Sequence, residues 1–408
     1  MRNLFLGALI AVAKSERLSL PITDGRVPLT LDGQPLNFEV DSGVAESFAF
    51  YGPVYEQIFG KDSCGRSPYG CYFCPPEKPC DDILSRKVWQ KKLYDGEMYV
   101  YVEHNMTLVV GNRKIEDLKL GLVVGFPIHD HRNCSAILGL SFGGDNIPET
   151  FLEQLQKQQV IDTLSYSIHA EEQGPGMSGN LTLGGSATTQ TSSIGFSEEP
   201  AEYGVIAVPQ RPLELFDSSG KQVKTRRLWW GKAKPALVDT GAMSLIISNK
   251  EFEKVIDTTW ETMRKQVKFV EITDKQQLLC ASRSGHMVRM EALPYLPTLS
   301  YKIGSPPYTI DIRIEPMHYI HSCEALCCQM DIDPVDSGIT TLGQPLFRAY
   351  DVKFDLSERR LHLSRNHGNS TATASGKPTD IGTTMKSRRE PSLFRKMTFR
   401  RRSQVSPE

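Results

Sequence analysis

Short apolar stretches separated by turn residues run along most of the chain and predict a protein built mainly from β-strands. Between residues 18 and 50, apolar and polar positions alternate around the turn pair Asp32-Gly33, which predicts a β-hairpin and a further strand. Helical spacing of apolar residues at 148–159 and 250–267 predicts amphipathic helices. We therefore predict an all-β fold, mainly antiparallel, with a few short helices. Further strands are predicted at 106–110, 118–124, 163–169, 180–184, 203–208, 226–230, 297–303 and 308–314, and a terminal hairpin at 349–363.

One local pattern occurs twice: a strand runs into an aspartate, a hydroxyl residue and a glycine follow, and a second strand begins. The first copy contains Asp41-Ser42-Gly43 and the second contains Asp239-Thr240-Gly241. Their separation by roughly half the chain indicates a duplicated architecture. A third Asp-Ser-Gly, at 336–338, follows a polar run interrupted by proline, and we interpret it as an ordinary loop.

The two aspartates suggest a specific chemistry if the fold brings them together. Carboxyl groups at about 3 Å cannot both ionise, so they share one proton. The ionised member can take a proton from water while the protonated member donates to a carbonyl oxygen, which adds water to an amide without a covalent intermediate. Asp41 and Asp239 are therefore the candidate catalytic residues, and their titration belongs to the pair.

A second hairpin is predicted over residues 93–102, where Asp95-Gly96 separates two strand-like runs. Its tip carries Tyr94, which can either close over a cleft or pack at the base of a solvent-facing hairpin. The residues alone favour the second arrangement. The basic and aromatic run that precedes it, 86–92, is predicted to be a solvated surface arm.

The amino-acid composition limits the classes of protein to which the chain can belong. The chain has 408 residues, 39% of them hydrophobic, which suffices for two sizeable cores or one large bilobed unit. Its formal charge of −1 gives no indication of nucleic-acid binding. Residues 1–13 resemble a signal peptide, with a buried first strand or an incomplete gene start as alternatives, and no other run is long enough to span a membrane. Residues 366–408 are rich in Ser, Thr, Gly and Pro, with a basic cluster at 400–402, and are predicted to be a disordered tail.

Nine cysteines favour an oxidising compartment, and hence the secretory pathway, with an end point outside the cell or in an acidic vesicle or vacuole. Four of them crowd one loop, where disulfides or, through Cys71-x-x-Cys74, a zinc site are alternatives. The odd count leaves at least one thiol outside intramolecular pairs. Sequons consistent with secretion and glycosylation begin at Asn105, Asn133, Asn180 and Asn369.

The order of these motifs resembles that of the pepsin-like aspartic proteases over roughly residues 20–365. Beyond the two Asp motifs and Tyr94-Asp95-Gly96, the resemblance is carried by Ile137-Leu138-Gly139, Leu342-Gly343 and the strand segment 347–355. It implies a bilobed fold with a cleft between two duplicated lobes, at 14–195 and 196–365, and the two aspartates at the cleft floor. Tyr94 would then lie on a flap over a bound peptide.

The resemblance also implies the partners. We expect peptide or protein substrates, inhibition by pepstatin-like compounds, no cofactor, no metal, and a monomer, since the duplicated lobes make dimerisation unnecessary for assembling a site. It further implies a C-lobe disulfide between Cys280 and Cys323, with Cys327 or Cys328 as the alternative partner. The residues expected to contact substrate are Gly43, Tyr94, Asp95, Gly96, Gly241 and Ala242.

Three departures from the family pattern carry information. The family usually places Ser or Thr directly after each Asp-Thr-Gly, and here Val44 and Ala242 occupy those positions. Loss of a hydroxyl donor to a carboxylate raises its pKa, so we expect an activity optimum less acidic than is usual for digestive members. The family's Trp after the first motif is replaced by nearby Phe48 or Phe50, which leaves the flap tyrosine without its common hydrogen-bond partner.

The leading hypothesis is an aspartic endopeptidase that uses Asp41 and Asp239. The alternative is a catalytically weak or inactive pepsin-fold protein that binds peptides or inhibits another enzyme, which the residues Val44 and Ala242 favour. A third possibility is a cysteine-rich adhesion module built on the 64–80 loop, in which the cleft is incidental.

Overall fold

The structure of the protein is a computed structural model. The predicted signal peptide at 1–13, Tyr94, Asp95, the strand at 226–230 and all of the predicted tail except Asn366 lie outside the described residues. The structure describes residues 17–93, 96–126, 134–144, 146–172, 174, 176–185, 192–198, 204–223, 233–266, 272–281, 286–336 and 338–366.

Strands dominate the first half of the described chain. Predicted strands at 106–110, 118–124, 163–169 and 180–184 are all found, the first two within a long hairpin. The strands are β1 (Leu18–Ile22), β2 (Arg26–Leu31), β3 (Gln34–Asp41), β4 (Phe48–Phe50), β5 (Val88–Lys92), β6 (Met98–Val110), β7 (Arg113–Gly125), β8 (Ile137–Gly139), β9 (Ser165–Ala170), β10 (Gly179–Leu183) and β11 (Ser192–Gly195).

The second half repeats this style. The strand predicted at 203–208 is found slightly later, and the terminal hairpin forms as predicted. The strands are β12 (Ala207–Gln210), β13 (Glu214–Phe216), β14 (Lys234–Val238), β15 (Leu245–Ser248), β16 (Leu279–Cys280), β17 (His286–Arg289), β18 (Thr298–Ser305), β19 (Tyr308–Ile314), β20 (Ile320–Glu324), β21 (Cys327–Met330), β22 (Ile332–Val335), β23 (Thr340–Leu342), β24 (Tyr350–Asp355) and β25 (Arg360–Arg365).

The helices are short apart from one. Both predicted helices are present, and the first begins at a capping box in which Thr150 and Glu153 satisfy each other's backbone N–H groups. The α-helices are α1 (Gly52–Phe59), α2 (Phe151–Lys157), α3 (Asn249–Gln266), α4 (Pro316–Tyr319) and α5 (Gln344–Ala349), and 3₁₀ turns lie at Cys64–Arg66, Ile83–Ser85, Lys275–Leu278 and Met290–Tyr295.

The strands of the described residues form four sheets, and the two predicted Asp motifs belong to different sheets. The seven-stranded sheet β2-β3-β8-β4-β7-β6-β5 contains the first motif, and the eight-stranded sheet β13-β18-β12-β14-β23-β15-β22, with β19 on β18, contains the second. A six-stranded sheet, β1-β10-β9-β24-β25-β11, combines strands from both ends of the chain, and β16-β17-β21-β20 form the fourth. The mainly antiparallel β architecture and bilobed pepsin-like fold class are as predicted, whereas the lobe boundaries at 195 and 365 stay predictions.

Buried and exposed residues alternate along the strands, and the buried ones form the hydrophobic core. In β3, Leu36, Phe38 and Val40 are buried while Asn37 on the opposite face is exposed. Strands β2 and β24 show the same alternation, and their buried residues belong to the same hydrophobic core as those of β3. None of the helices in the described parts of the chain is both long and apolar enough to cross a membrane.

The run 86–92 lies at the surface as predicted, but Val88–Lys92 is a paired edge strand and not a free arm, so that part of the prediction is wrong. Residues Val88–Lys92 are β5, which pairs with β6 from Val88 opposite Val102 to Lys92 opposite Met98. The basic side chains misled the prediction, because a lysine can border a sheet while its charged end finds a carboxylate or water. Beyond the end of β5, the Leu93 N–H donates to the Glu97 carbonyl at 2.7 Å.

The cysteines of the 64–80 loop form two disulfides, Cys64–Cys71 and Cys74–Cys80. Since both thiols of Cys71-x-x-Cys74 are consumed with other partners, the zinc interpretation of that motif is wrong. The ninth cysteine, Cys134, is outside the disulfides.

In the second half the pairs are Cys280–Cys327 and Cys323–Cys328. The implied Cys280–Cys323 pair is therefore wrong, and the alternative partner Cys327 is correct. The strand order β16-β17-β21-β20 gives the reason: β21 is nearer to β16 than β20 is, so Cys280 reaches Cys327 across β17, while Cys323 lies directly opposite Cys328.

Candidate active site

Each aspartate of the two motifs lies where a buried strand ends beside a parallel neighbour. Asp41 is the last residue of β3 and lies opposite Gly139 of β8. Asp239 directly follows β14, whose Val238 lies opposite Leu342 of β23, and its N–H donates to the Leu342 carbonyl at 3.1 Å. The repeated Leu-Gly segments are thus the parallel strands that hold the two aspartates in equivalent positions.

The hydroxyl residues of the motifs link the two sheets reciprocally. Ser42 N–H donates to Thr240 Oγ1 at 2.9 Å, and Thr240 N–H donates to Ser42 Oγ at 3.0 Å. Each hydroxyl also donates across the interface, Ser42 to the Val238 carbonyl at 2.9 Å and Thr240 to the Val40 carbonyl at 2.6 Å. Because both residues are buried, these bonds fix the relative position of the aspartates that precede them.

The glycines of the motifs let each aspartate approach the opposite turn. A Cβ atom on Gly43 would lie 2.7 Å from Asp239 Oδ2, and one on Gly241 would lie 2.9 Å from the Asp41 carboxyl carbon. Each glycine also donates its N–H to its own aspartate, at 2.7 Å for Asp41 and 2.9 Å for Asp239. A side chain at either position would therefore displace a carboxyl group.

The carboxyl groups of Asp41 and Asp239 share a hydrogen bond. Burial, then the charge of Asp239, then that of Glu39 raise the pKa of Asp41 well above its usual value. Burial also raises the pKa of Asp239, but three backbone N–H groups, of Gly241, Ala242 and Gly43, and the side chain of Asp41 stabilise its charged form. Because two adjacent carboxyl groups resist ionising together, they share one proton, and the titration belongs to the pair.

A cavity of about 510 Å³ opens over the pair, a size typical of small-ligand and peptide-side-chain sites. One wall is the end of the β5–β6 hairpin, which contributes Lys91, Lys92 and Leu93. The structure thus brings five predicted site residues, together with Val44, to one cavity: Asp41, Gly43, Asp239, Gly241 and Ala242.

Of the remaining predicted site residues, Gly96 is among the described ones. Gly96 is an exposed turn residue with φ of 95°, and its N–H donates to the Leu93 carbonyl at 3.1 Å. Tyr94 and Asp95 lie outside the described residues, so their predicted contacts with substrate stay predictions.

The departures from the family pattern have visible consequences. Val44 is buried, and Ala242 contributes its backbone N–H to Asp239 in place of a hydroxyl. Phe48 is buried with its ring centroid 4.5 Å from that of Tyr99, so an aromatic pair fills the space behind the first motif.

Two charged groups near the site were missed from the sequence. Glu46 is buried next to the first motif and pairs with Lys91 at 2.8 Å, which ties β5 to the loop after Asp41. Glu39 precedes Asp41 by two residues and is close enough to raise its pKa. Strand alternation was the available signal for Glu39, because residues two apart share a face.

A family model described as eukaryotic aspartyl protease matches residues 96–366, roughly two thirds of the chain. The chain belongs to the eukaryotic aspartyl protease family. The matched range contains the second motif, with Asp239, and begins after the first, with Asp41. A search of curated proteins found no match. Membership in this aspartyl protease family agrees with the predicted resemblance and implies peptide substrates.

Proposed function

We propose that this aspartyl protease family member is an endopeptidase that hydrolyses peptide bonds with Asp41 and Asp239. The observation that carries the proposal is the hydrogen bond between the two buried carboxyl groups at the base of a cavity. The reciprocal Ser42–Thr240 bonds support it, because they hold the pair without help from a ligand.

In the proposed reaction, the Asp239 carboxylate takes a proton from a water molecule while the resulting hydroxide attacks the peptide carbonyl carbon. Asp41 gives its proton to the carbonyl oxygen, so that a neutral gem-diol forms. Asp239 then protonates the amide nitrogen, Asp41 recovers a proton from one hydroxyl, and the C–N bond breaks. The products are a carboxylic acid and an amine, and both carboxyl groups return to their starting states.

An extended peptide would lie between the β5–β6 hairpin and the two motifs. We propose that Gly43, Gly241 and Ala242 contact it from below and that Tyr94, Asp95 and Gly96 contact it from the hairpin turn. Pairing of eight of the nine cysteines supports an oxidising location in the secretory pathway. We further propose a monomer that is inhibited by pepstatin-like compounds.

The test compares the wild-type protein with Asp239→Asn in cleavage of a mixed peptide library at several pH values, with pepstatin as inhibitor. Asn keeps the shape of the side chain and cannot accept the proton from water, so we expect a loss of at least about 10³-fold in kcat/KM. Asp217→Asn, at a partly exposed residue directly after β13, is the matched control and should retain activity. Equal cleavage by the wild type and Asp239→Asn would exclude the proposed pair.

A second candidate function is peptide binding without turnover, which the absence of a hydroxyl at Val44 and Ala242 favours. The same assay separates the two. A protein that binds pepstatin by calorimetry but cleaves no peptide at any pH would support the binding function, whereas pepstatin-sensitive cleavage lost in Asp239→Asn would support the endopeptidase.

A further inference from the structure

A third carboxyl group lies on the same face of β3 as Asp41. Glu39 precedes Asp41 by two residues, which places the two side chains about 7 Å apart along the strand. The charge of Glu39 raises the pKa of Asp41, and the charge of Asp239 in turn raises the pKa of Glu39. Glu39 therefore lies close to both members of the pair, although the proposed reaction does not use it.

Glu39 lines a separate pocket of about 280 Å³. Met243 and Gln344 form part of its wall, and Met243 directly follows Ala242, which lines the cavity over the aspartates. The Met243 side chain is 68% exposed, so this wall is open to solvent. A peptide bound across Asp41 and Asp239 would consequently pass the mouth of the Glu39 pocket.

This pocket has two carboxyl groups, of Asp24 and Glu39, and one cation, Arg26. Arg26 lies opposite Glu39 in the β2–β3 pairing, but it forms its ion pair with Asp24. Glu39 accepts a hydrogen bond from the Tyr69 hydroxyl at 3.2 Å, and that hydroxyl also contacts Ser135 Oγ at 2.9 Å. Within the part of the chain that the structure describes, Glu39 has no ion-pair partner.

We infer that the Glu39 pocket binds a lysine or arginine side chain of the substrate at a position near the cleaved bond. This inference rests on the proposed endopeptidase function and names its substrate class. The aliphatic part of a basic side chain would pack between Tyr69 and Met243, and its charged end would meet Glu39. A charge-assisted hydrogen bond of this kind is stronger than a neutral one, so it distinguishes basic from neutral side chains.

The preference should depend on pH because Glu39 titrates. Burial raises the pKa of Glu39, and the charge of Asp239 raises it further, whereas the hydroxyls of Ser135 and Tyr69 and the charge of Arg26 lower it. Tyr69, with a pKa raised to about 12, remains a neutral donor throughout. Glu39 thus loses its charge at a higher pH than an exposed glutamate does, and the preference for basic peptides should fall as the pH is lowered.

The test measures kcat/KM for peptide pairs that carry lysine or the uncharged norleucine at each position around the cleaved bond. For the wild type, we expect one position at which lysine is preferred by about 10- to 100-fold, the range of one charged hydrogen bond, mainly through a lower KM. Glu39→Gln should reduce this ratio to near one, and Glu39→Asp should retain part of it. Glu116→Gln, at an exposed ion pair, is the matched control and should leave the ratio unchanged.

The readout is a ratio within each variant, so it does not depend on how much of a variant folds. A wild-type protein that cleaves norleucine peptides in an Asp239-dependent manner but shows no position with a lysine preference would overturn this inference and leave the proposed function intact. A preference that survives in Glu39→Gln would also overturn it. If the wild type cleaves neither member of any pair, the endopeptidase proposal itself fails.

Discussion

The Cα atom of Gly43 faces the carboxyl group of Asp239 so closely that an added methyl group would lie 2.7 Å from Oδ2. Gly241 has the reciprocal relationship with Asp41, at 2.9 Å. Each motif therefore supplies one carboxyl group and the space for the other. Neither aspartate can be positioned correctly unless both glycines are present.

Replacing either glycine with alanine should impair catalysis more than stability. Gly43→Ala forces Asp239 to rotate away from Asp41, since the carboxylate lies on a short side chain held by backbone N–H groups. We expect kcat to fall by about 10²-fold or more, because small misplacements of reacting groups have effects of that size. Gly65→Ala, where a Cβ atom would meet nothing within 4 Å, is the control. Unchanged kcat in Gly43→Ala would contradict this geometry.

Much of the fold could be predicted because strand alternation and turn residues are local signals. The β3 strand, the α2 and α3 helices and the terminal hairpin follow from apolar spacing, and the two motifs follow from their repetition. Asp41 and Asp239 were identified because a strand end, a hydroxyl residue and a glycine recur in the same order.

What could not be predicted depends on contacts between distant segments. Lys91 looked like a solvated residue because nothing local indicates that Glu46, in the loop after Asp41, pairs with it. The partner of Cys280 depends on the order of strands in the fourth sheet, which short-range patterns do not encode. Glu39 was overlooked because the pocket that it lines is formed with Tyr69 and Met243, both remote in sequence.

The buried pair should make stability depend on pH in a defined direction. Because the pKa of Asp41 is higher in the folded protein than in the unfolded chain, its contribution to the free energy of unfolding is fully present below the unfolded value, about 3.9, and is lost as the pH rises through the folded value. The variant Asp41→Asn has no carboxyl group to ionise at this position, so its free energy of unfolding does not undergo this loss. We therefore expect the variant to gain stability relative to the wild type as the pH rises above about 4, as measured by urea unfolding.

Asp217→Asn is a control of opposite sign. Hydrogen bonds, first of all from Ser219, lower the pKa of Asp217, so its contribution is present above the unfolded value and is lost as the pH falls through the folded value. This variant should be less stable than the wild type near neutral pH and approach it in acid. If Asp41→Asn showed the same trend as Asp217→Asn, the raised pKa of Asp41 would be refuted.

A hydroxyl donor at position 242 should move the activity profile toward acid. Ala242 gives Asp239 only its backbone N–H, and an additional donor to the carboxylate would lower the pKa of Asp239. We expect Ala242→Thr to shift the acidic limb of the kcat/KM profile to lower pH. Ala242→Val has the same shape without the hydroxyl and should leave that limb in place, so equal shifts in both variants would show that size rather than hydrogen bonding is responsible.

The Lys91–Glu46 ion pair should stabilise the hairpin that borders the cavity. The Glu46 side chain is 5% exposed, so Lys91→Met would leave a buried carboxyl group without its cation. We expect the free energy of unfolding to fall by about 1–3 kcal/mol and KM to rise as β5 loses its tie to the loop after Asp41. Lys114→Met, at an exposed pair with Glu116, should change stability by less than about 1 kcal/mol. A double variant, Lys91→Met with Glu46→Gln, should recover part of the loss.

The two disulfides of the fourth sheet should differ in their contribution to stability. Cys280 and Cys327 are separated by 47 residues, whereas Cys323 and Cys328 are separated by 5. In the chain-entropy model a longer closed loop restricts the unfolded chain more, which gives about 4 kcal/mol for the first pair and about 2 kcal/mol for the second. Replacing both cysteines of each pair with serine and measuring urea unfolding tests this order. Peptide mapping without reduction of the wild type identifies the pairs independently, and a Cys280–Cys323 peptide would contradict the connectivity from which the order is derived.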